Sequence, residues 1–210
     1  HYLVDFEFSK NLLSCLDVIF FMPKIVVIVG SVRSERNGIK VAKWVVSKLK
    51  AKGHTVSLVD PTELDLPLLD KMYKEMESPP EKLQKLQKII KEVDGYVPIT
   101  PEYNHSVSSA LKNTLDYFLE EYFFKPSAII SYSVGSFGGV TAGNHLRQIL
   151  AEMGTIAISS QFTISKVHKV FDDEGKSLDE NYERRFSRFL EEFEWYVSAL
   201  AKQRESGTPY

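Results

Sequence analysis

The sequence predicts an α/β domain of three layers: a doubly wound, five-stranded parallel sheet with helices on both faces. Three observations carry that expectation. From residue 24 to residue 202, short apolar runs alternate with amphipathic stretches of helical length, the pattern of strands joined by crossover helices. No Pro/Gly/Ser linker, internal repeat or low-complexity tract divides residues 22–205. The residues of unusual chemistry fall directly behind the apolar runs, at the strand ends where such sheets carry their sites.

KIVVIVG (24–30) is apolar almost throughout and stops at glycine, as a strand buried on both faces does. IKVAKWVVSKLKAKG (39–53) spaces its apolar residues as a helix and ends on glycine. HTVSLVD (54–60) alternates as a strand. SPPEKLQKLQKIIKEVDG (78–95) opens with a helix-start signal and closes on Asp-Gly. YVPIT (96–100) is a short third strand, followed by Pro101. SVSSALKNTLDYFLEE (106–121) is a helix opening at a serine cap, with Leu111, Leu115 and Phe118 on one face. SAIISYS (127–133) is the fourth strand, GVTAGNHLRQILAEMG (139–154) its helix and TIAIS (155–159) the fifth strand. DENYERRFSRFLEEFEWYVSALAK (179–202) is the closing helix.

The 210 residues suffice for one domain, and 43% hydrophobic with 26% charged residues is ordinary for a globular chain. A net charge of −2 provides no basic footprint for nucleic acid or an anionic membrane. The one cysteine, Cys15, excludes an internal disulfide framework, and no Cys/His spacing suggests a metal. A reducing, cytoplasmic setting fits. LLSCLDVIFF (12–21) is apolar but interrupted by Asp17 and too short to span a bilayer. The expectation is an extension at 1–21 outside the fold, a domain at 22–205 and a flexible tail at 206–210.

Three loops collect the chemistry. GSVRSERNG (30–38) joins the first strand to a helix, so backbone N–H groups and the positive helix end converge there. Ser31 adds a hydroxyl, and Arg33 and Arg36 add forked donors suited to a phosphomonoester. A Walker A loop needs Gly-Lys-Ser/Thr where Gly38 is followed by Ile39-Lys40-Val41, and the GxGxxG fingerprint is missing. SYSVG (131–135) lacks the first glycine of a hydrolase elbow. PEYN (101–104) suits a planar heterocycle, with Tyr103 over a face and Asn104 on a polyol or ring atom; it reads equally as a turn with Tyr103 in the core and Asn104 as a helix cap.

Together the loops resemble the NADPH-dependent FMN reductase family, a flavodoxin-like group that includes quinone, azo-dye and chromate reductases. The resemblance rests on Gly30-Ser31-x-Arg33-x-x-Arg36-x-Gly38, on PEYNHS leading into LKNTLDYF (111–118), and on SYSVGSFGGVTAGNHLRQILAEMG (131–154). It implies strand order 2-1-3-4-5 and an FMN phosphate held by Ser31, Arg33, Arg36, Asn37 and Gly38. It further implies that Pro101, Glu102, Tyr103 and Asn104 line the ribityl chain and ring. Ser131, Tyr132, Ser133, Gly135, Gly138 and Gly139 would close the other side. SVGSF departs from the shorter glycine-rich stretch of many relatives, and Glu35 must point away if the phosphate loop is to work.

The resemblance also implies a homodimer or homotetramer, NADPH or NADH as hydride donor, and a quinone-like small molecule as acceptor. Flavin N5 carries the chemistry in ping-pong order, so no side chain is obligatory as acid or base. Two alternatives stand beside the enzyme: a flavodoxin-like electron carrier, and a flavin redox sensor binding a protein partner. Carriers tend to be strongly acidic, and this chain is near neutral.

Other features read more plainly. His105 is a helix-entry residue, His145 a surface or interface residue, and ERRFSRF (183–189) a solvated helix face with EEFE behind it. The aromatic segment Tyr117, Phe118, Tyr122, Phe123 and Phe124 leans toward a subunit interface. Lys125 and Arg147 are candidates for a 2′-phosphate contact.

Overall fold

The structure is a computed structural model that describes residues 22–210; the extension expected at 1–21, with Cys15, lies outside the described residues. Strand β1 (Lys24–Val29) is buried from Ile25 onward. It pairs in parallel with β2 (Thr55–Val59) on one side and β3 (Gly95–Pro101) on the other. Beyond β3 come a fourth line, made of β4 (Pro126–Ser127) and β5 (Ile130–Tyr132), and a fifth, made of β6 (Ile156–Ala157) and β7 (Phe162–Ile164). The lines follow the order 2-1-3-4-5, and all pairings are parallel.

The expected five strands are thus seven among the described residues, because the last two lines break, each for its own reason. In the fourth line Ala128 N–H donates to the Tyr96 carbonyl at 2.8 Å. The returning bond to the Ala128 carbonyl would come from residue 98, which is proline and has no N–H. In the fifth line Ser127 pairs with Ala157, yet Ile130 pairs with Phe162. Two extra residues are therefore accommodated there as a bulge. The Arg147 guanidinium donates to the carbonyls of Ala157, Ile158, Ser159 and Ser160, most closely to Ile158 at 2.6 Å. Glu192 accepts from Ser160 N–H at 3.2 Å.

One face of the sheet carries α1 (Gly38–Ala51) and the long α6 (Glu180–Glu205). Trp44 centres this layer, its ring 4.4 Å from Phe186 and 5.2 Å from Phe171, with its indole N–H on Glu183 at 2.8 Å. The other face carries α3 (Glu81–Glu92), α4 (Ser109–Asp116) and α5 (Val140–Glu152) through Leu83, Leu86, Ile90, Leu111, Leu115, Leu146 and Leu150. Within β1, Ile25, Val27 and Val29 face the first layer while Val26 and Ile28 face the second, the period-two alternation of a strand buried twice over. A one-turn α2 (Pro61–Leu64) follows β2, capped by Asp60.

Helix boundaries move by a few residues from expectation. Helix α4 starts after Ser108 rather than Ser106 and stops at Asp116, giving way to a short 3₁₀ turn at Glu120–Tyr122. The aromatic segment that follows is not an interface throughout: Tyr117, Phe118 and Tyr122 are buried in this chain's own core, and Phe123 and Phe124 are half-buried. No helix among the described residues is long and apolar enough to cross a membrane.

Candidate functional site

The loop after β1 is held tightly at its root. A side chain on Gly30 would place its Cβ 2.4 Å from the Ile99 carbonyl, so only glycine lets the chain leave the sheet beside β3. The Ser108 hydroxyl donates to the Gly30 carbonyl. Ser31, also buried, exchanges a hydrogen bond with the Tyr103 hydroxyl at 2.8 Å. At the far end of the loop, helix α1 begins without a side-chain cap at Asn37. The Lys40 and Val41 N–H groups share the Asn37 carbonyl, at 3.1 and 3.2 Å. The N–H groups ahead of them belong to the first turn, which has no intrahelical acceptors. They point outward with the positive end of the dipole.

The two arginines have different fates. Arg33 is exposed, its guanidinium 6.0 Å from the centre of the Tyr103 ring. Arg36 turns toward β2 and gives its terminal nitrogens to the Asp60 carboxylate and the Thr62 hydroxyl. Its Nε is buried and has no partner among the described residues. Asp60 was not singled out in the sequence; its position directly behind the HTVSLV strand, before a proline, is the signal that marks it.

The second loop is a tight hairpin. Tyr103 and Ser106 exchange backbone bonds of 3.1 and 3.0 Å around Asn104 and His105. Both central residues have positive φ, 50° and 60°. A non-glycine pair in that region stores strain. Asn104 therefore sits at an exposed turn tip, and Ser108 rather than Asn104 caps α4. Glu102 does not reach into open space: its carboxylate accepts from the Thr141 and Ala142 N–H groups at 3.0 and 3.1 Å, the first turn of α5.

In the third loop Ser131 is buried and donates to the Gly138 carbonyl at 3.0 Å. Gly138 and Gly139 hold φ of 66° and 76°, and a Cβ on Gly139 would lie 2.8 Å from the Tyr132 carbonyl oxygen. Ser133 and Gly135 tie the loop to residues 165–167 through backbone bonds to Lys166 and Val167. Val134 projects between them and Phe137 just beyond, 67% and 83% exposed. Tyr132 packs its hydroxyl on the start of α1, where a Cβ on Gly38 would meet it at 2.5 Å. Burial, with the neighbouring Tyr103, holds this phenol well above its ordinary pKa, so it stays a neutral hydrogen-bonding group.

The three loops enclose a cleft of about 270 Å³ at the C-terminal end of the sheet. Ser31, Arg33, Arg36 and Asn37 line one wall; Pro101, Glu102, Tyr103, Tyr132 and Ser133 line the other. Glu35, Val134 and Val167 complete the lining. Glu35 is thus at the wall, exposed, rather than turned fully away. Gly38, Asn104, Ser131, Gly135, Gly138 and Gly139 lie outside the lining and act on the cleft through backbone shape. A larger hollow of about 560 Å³ lies at the opposite end of the sheet near Phe123, Phe124 and Lys125. Lys125 gives its ammonium to the carbonyls of Ile90, Lys91 and Glu121, and Arg147 is occupied at the bulge, so neither lines the cleft.

This donor set suits a phosphate: an uncapped helix start, a serine hydroxyl and, among the described residues, one free guanidinium, with Arg36 in the wall. The exposed apolar side chains beside it suit a planar ring. Among the described residues, no group of three or more His, Cys, Asp or Glu gathers as metal ligands.

Comparison with known proteins agrees with this chemistry. The NADPH-dependent FMN reductase family matches residues 23–169, which take in all three loops. The chain is 32% identical over 180 residues to a quinone reductase of Pseudomonas putida, covering 82% of this chain and 94% of that protein. It is 32% identical over 146 residues to an NADPH azoreductase of Bacillus sp. (strain OY1-2), covering 69% and 78%. In fold it is similar to FerB, a flavoenzyme NAD(P)H:(acceptor) oxidoreductase from Paracoccus denitrificans, with a TM-score of 0.69 and 23% identity over 86% of this chain and 98% of that one. A family match across the greater part of the chain, on loops whose donors suit a phosphate, leads to one conclusion: this chain belongs to the NADPH-dependent FMN reductase family and is an NAD(P)H-dependent oxidoreductase with FMN as its cofactor.

Proposed function

We propose that this chain passes electrons from NADPH or NADH to quinones or related planar acceptors, in alternating half-reactions at the cleft, as a cytoplasmic homo-oligomer built on a domain at 22–205. The observation that carries this reading is the uncapped start of α1 beside Ser31 and the free Arg33. When bound there, FMN supplies the redox chemistry: one hydride in from the nicotinamide, then two electrons and a proton out to the acceptor, with a second proton from water.

The chain's own residues do the holding. Ser31, Arg33 and the first-turn N–H groups of α1 hold the phosphate. The Ser31–Tyr103 bond fixes the phenol ring beside the ligand. The strained 104–105 turn presents its backbone at a set angle, and Glu102, locked on α5, braces that turn rather than adding a free charge. Val134 and Phe137 offer apolar surface to the planar partner. No acid–base step is assigned to any of them.

An absorbance spectrum of the purified protein, followed by anaerobic NADPH, tests this. Flavin bands that bleach and then return on adding a quinone are expected, with parallel-line initial-velocity plots. Bands that neither NADPH nor NADH bleaches would support a carrier or sensor instead. A colourless protein that refuses added FMN overturns the assignment of the cleft.

A further inference from the structure

We infer that Asp60, which does not line the cleft, is a positioning residue that sets Arg36 and through it the phosphate end of the cofactor; this rests on reading the cleft as the FMN site. The carboxylate of Asp60 is shared. One oxygen accepts Thr62 N–H at 3.0 Å and caps α2; the other accepts from Arg36. The Thr62 hydroxyl oxygen accepts from the second terminal nitrogen of Arg36. The pair is well enclosed, with side chains 14% and 6% exposed. It ties the loop behind β1 to the end of β2, the edge strand of the sheet.

Two consequences follow for the cleft. The charge of Arg36 is already neutralised, so among the described residues the loop presents one free guanidinium, Arg33, and not two. Arg36 also keeps one buried N–H, at Nε, without a partner among the described residues. That atom is closed to solvent, but Arg36 lines the cleft, and each of its terminal nitrogens keeps a second N–H beyond the bonds to Asp60 and Thr62, which a phosphate oxygen in the cleft would accept. Asp60 therefore orients the guanidinium by holding one terminal nitrogen while Thr62 holds the other, which fixes the plane of the group in the cleft wall and leaves its remaining N–H groups for the ligand.

This reading and a purely electrostatic one predict opposite signs. As a mere negative charge near an anion site, Asp60 would repel phosphate, and Asp60→Asn would tighten FMN binding. As a positioning residue, Asp60→Asn loosens FMN by about tenfold, the worth of one charge-assisted hydrogen bond. Riboflavin, which lacks the phosphate, is the control.

The experiment is a fluorescence titration of apo-protein, wild type and variants, with FMN and with riboflavin. Asp60→Asn is expected to weaken FMN and leave riboflavin within about twofold, and Asp60→Glu to recover part of the loss. Tighter or unchanged FMN binding in Asp60→Asn overturns the inference, as does an equal loss for both flavins, which would mark a structural role. Should Asp60→Asn fail to fold, Thr62→Val removes the other partner of Arg36 and is expected to weaken FMN about threefold, again without moving riboflavin; an unchanged ratio overturns the inference. A wild-type protein that binds no FMN strikes the reading of the cleft itself, not Asp60.

Discussion

At the N-terminal end of the sheet, Lys125 is buried and every proton of its ammonium goes to a backbone carbonyl, at 3.1, 2.6 and 2.9 Å. Beside it Arg204 joins Asp94 at 2.9 Å and the Phe124 carbonyl at 3.1 Å. At the C-terminal end, Arg36 is nearly as enclosed yet keeps an unpaired donor, α1 starts uncapped, Arg33 reaches solvent, and two residues of the adjoining turn hold positive φ. Both ends contain cations under cover. Lys125 and Arg204 are satisfied by their own chain, while His54 Nδ1 at the same end is buried without a partner among the described residues; Arg36, at the other end, lines a cleft with donors to spare. Hydrogen-bonding capacity left open beside a cleft is capacity that a ligand can complete.

The largest test of that contrast uses pH at the satisfied end. Burial, aided by nearby Arg204, lowers Lys125 from 10.5 to about 8. Between those values the unfolded chain binds more protons than the folded one, so stability rises with pH. The tyrosines Tyr96 and Tyr122, raised by burial, act oppositely above their ordinary value of 10. Chemical denaturation should therefore show a gain of about 2 kcal/mol between pH 8 and 10 that Lys125→Met lacks. Flavin affinity should be the same in both proteins.

At the open end the expected responses reverse. Arg33→Ala should weaken FMN about tenfold by titration while the melting temperature of the apo-protein stays put. Equal loss of affinity and stability would place Arg33 with the structural cations. His105→Gly, which relieves a positive φ, should stabilise the apo-protein by about 1 kcal/mol in urea and lower turnover, since the turn loses its set geometry. Smallest of all, Phe137→Ala should change stability by less than about 0.5 kcal/mol. Its effect should appear in the KM for a quinone; an unchanged KM removes Phe137 from the acceptor's surroundings.

The legibility of the molecule follows the same division. KIVVIVG read as a doubly buried strand because burial on both faces leaves no place for a polar residue, and β1 is buried accordingly. The glycine-serine-arginine loop read as an anion cradle because strand-to-helix geometry exposes backbone donors whatever packs around it. The start of α4 was misplaced by two residues, since Ser106 and Ser108 are equivalent caps until Ser106 is drawn into a bond with Tyr103. Pro98 was visible, but the break it makes in the fourth line depends on which neighbour its missing N–H faces. The bulge of the fifth line depends on a register that only pairing defines.

By itself the sequence determined the alternation of strands and helices, the three loops and their donor chemistry, because these arise from local periodicity and from residue types at strand ends. Only the tertiary structure decided that, among the described residues, Arg33 is free and Arg36 is not. Asp60 stands 24 positions away from Arg36 in the chain. Parallel pairing of β1 with β2 brings the two loops side by side, and such a distant ion pair is specified by register rather than by spacing.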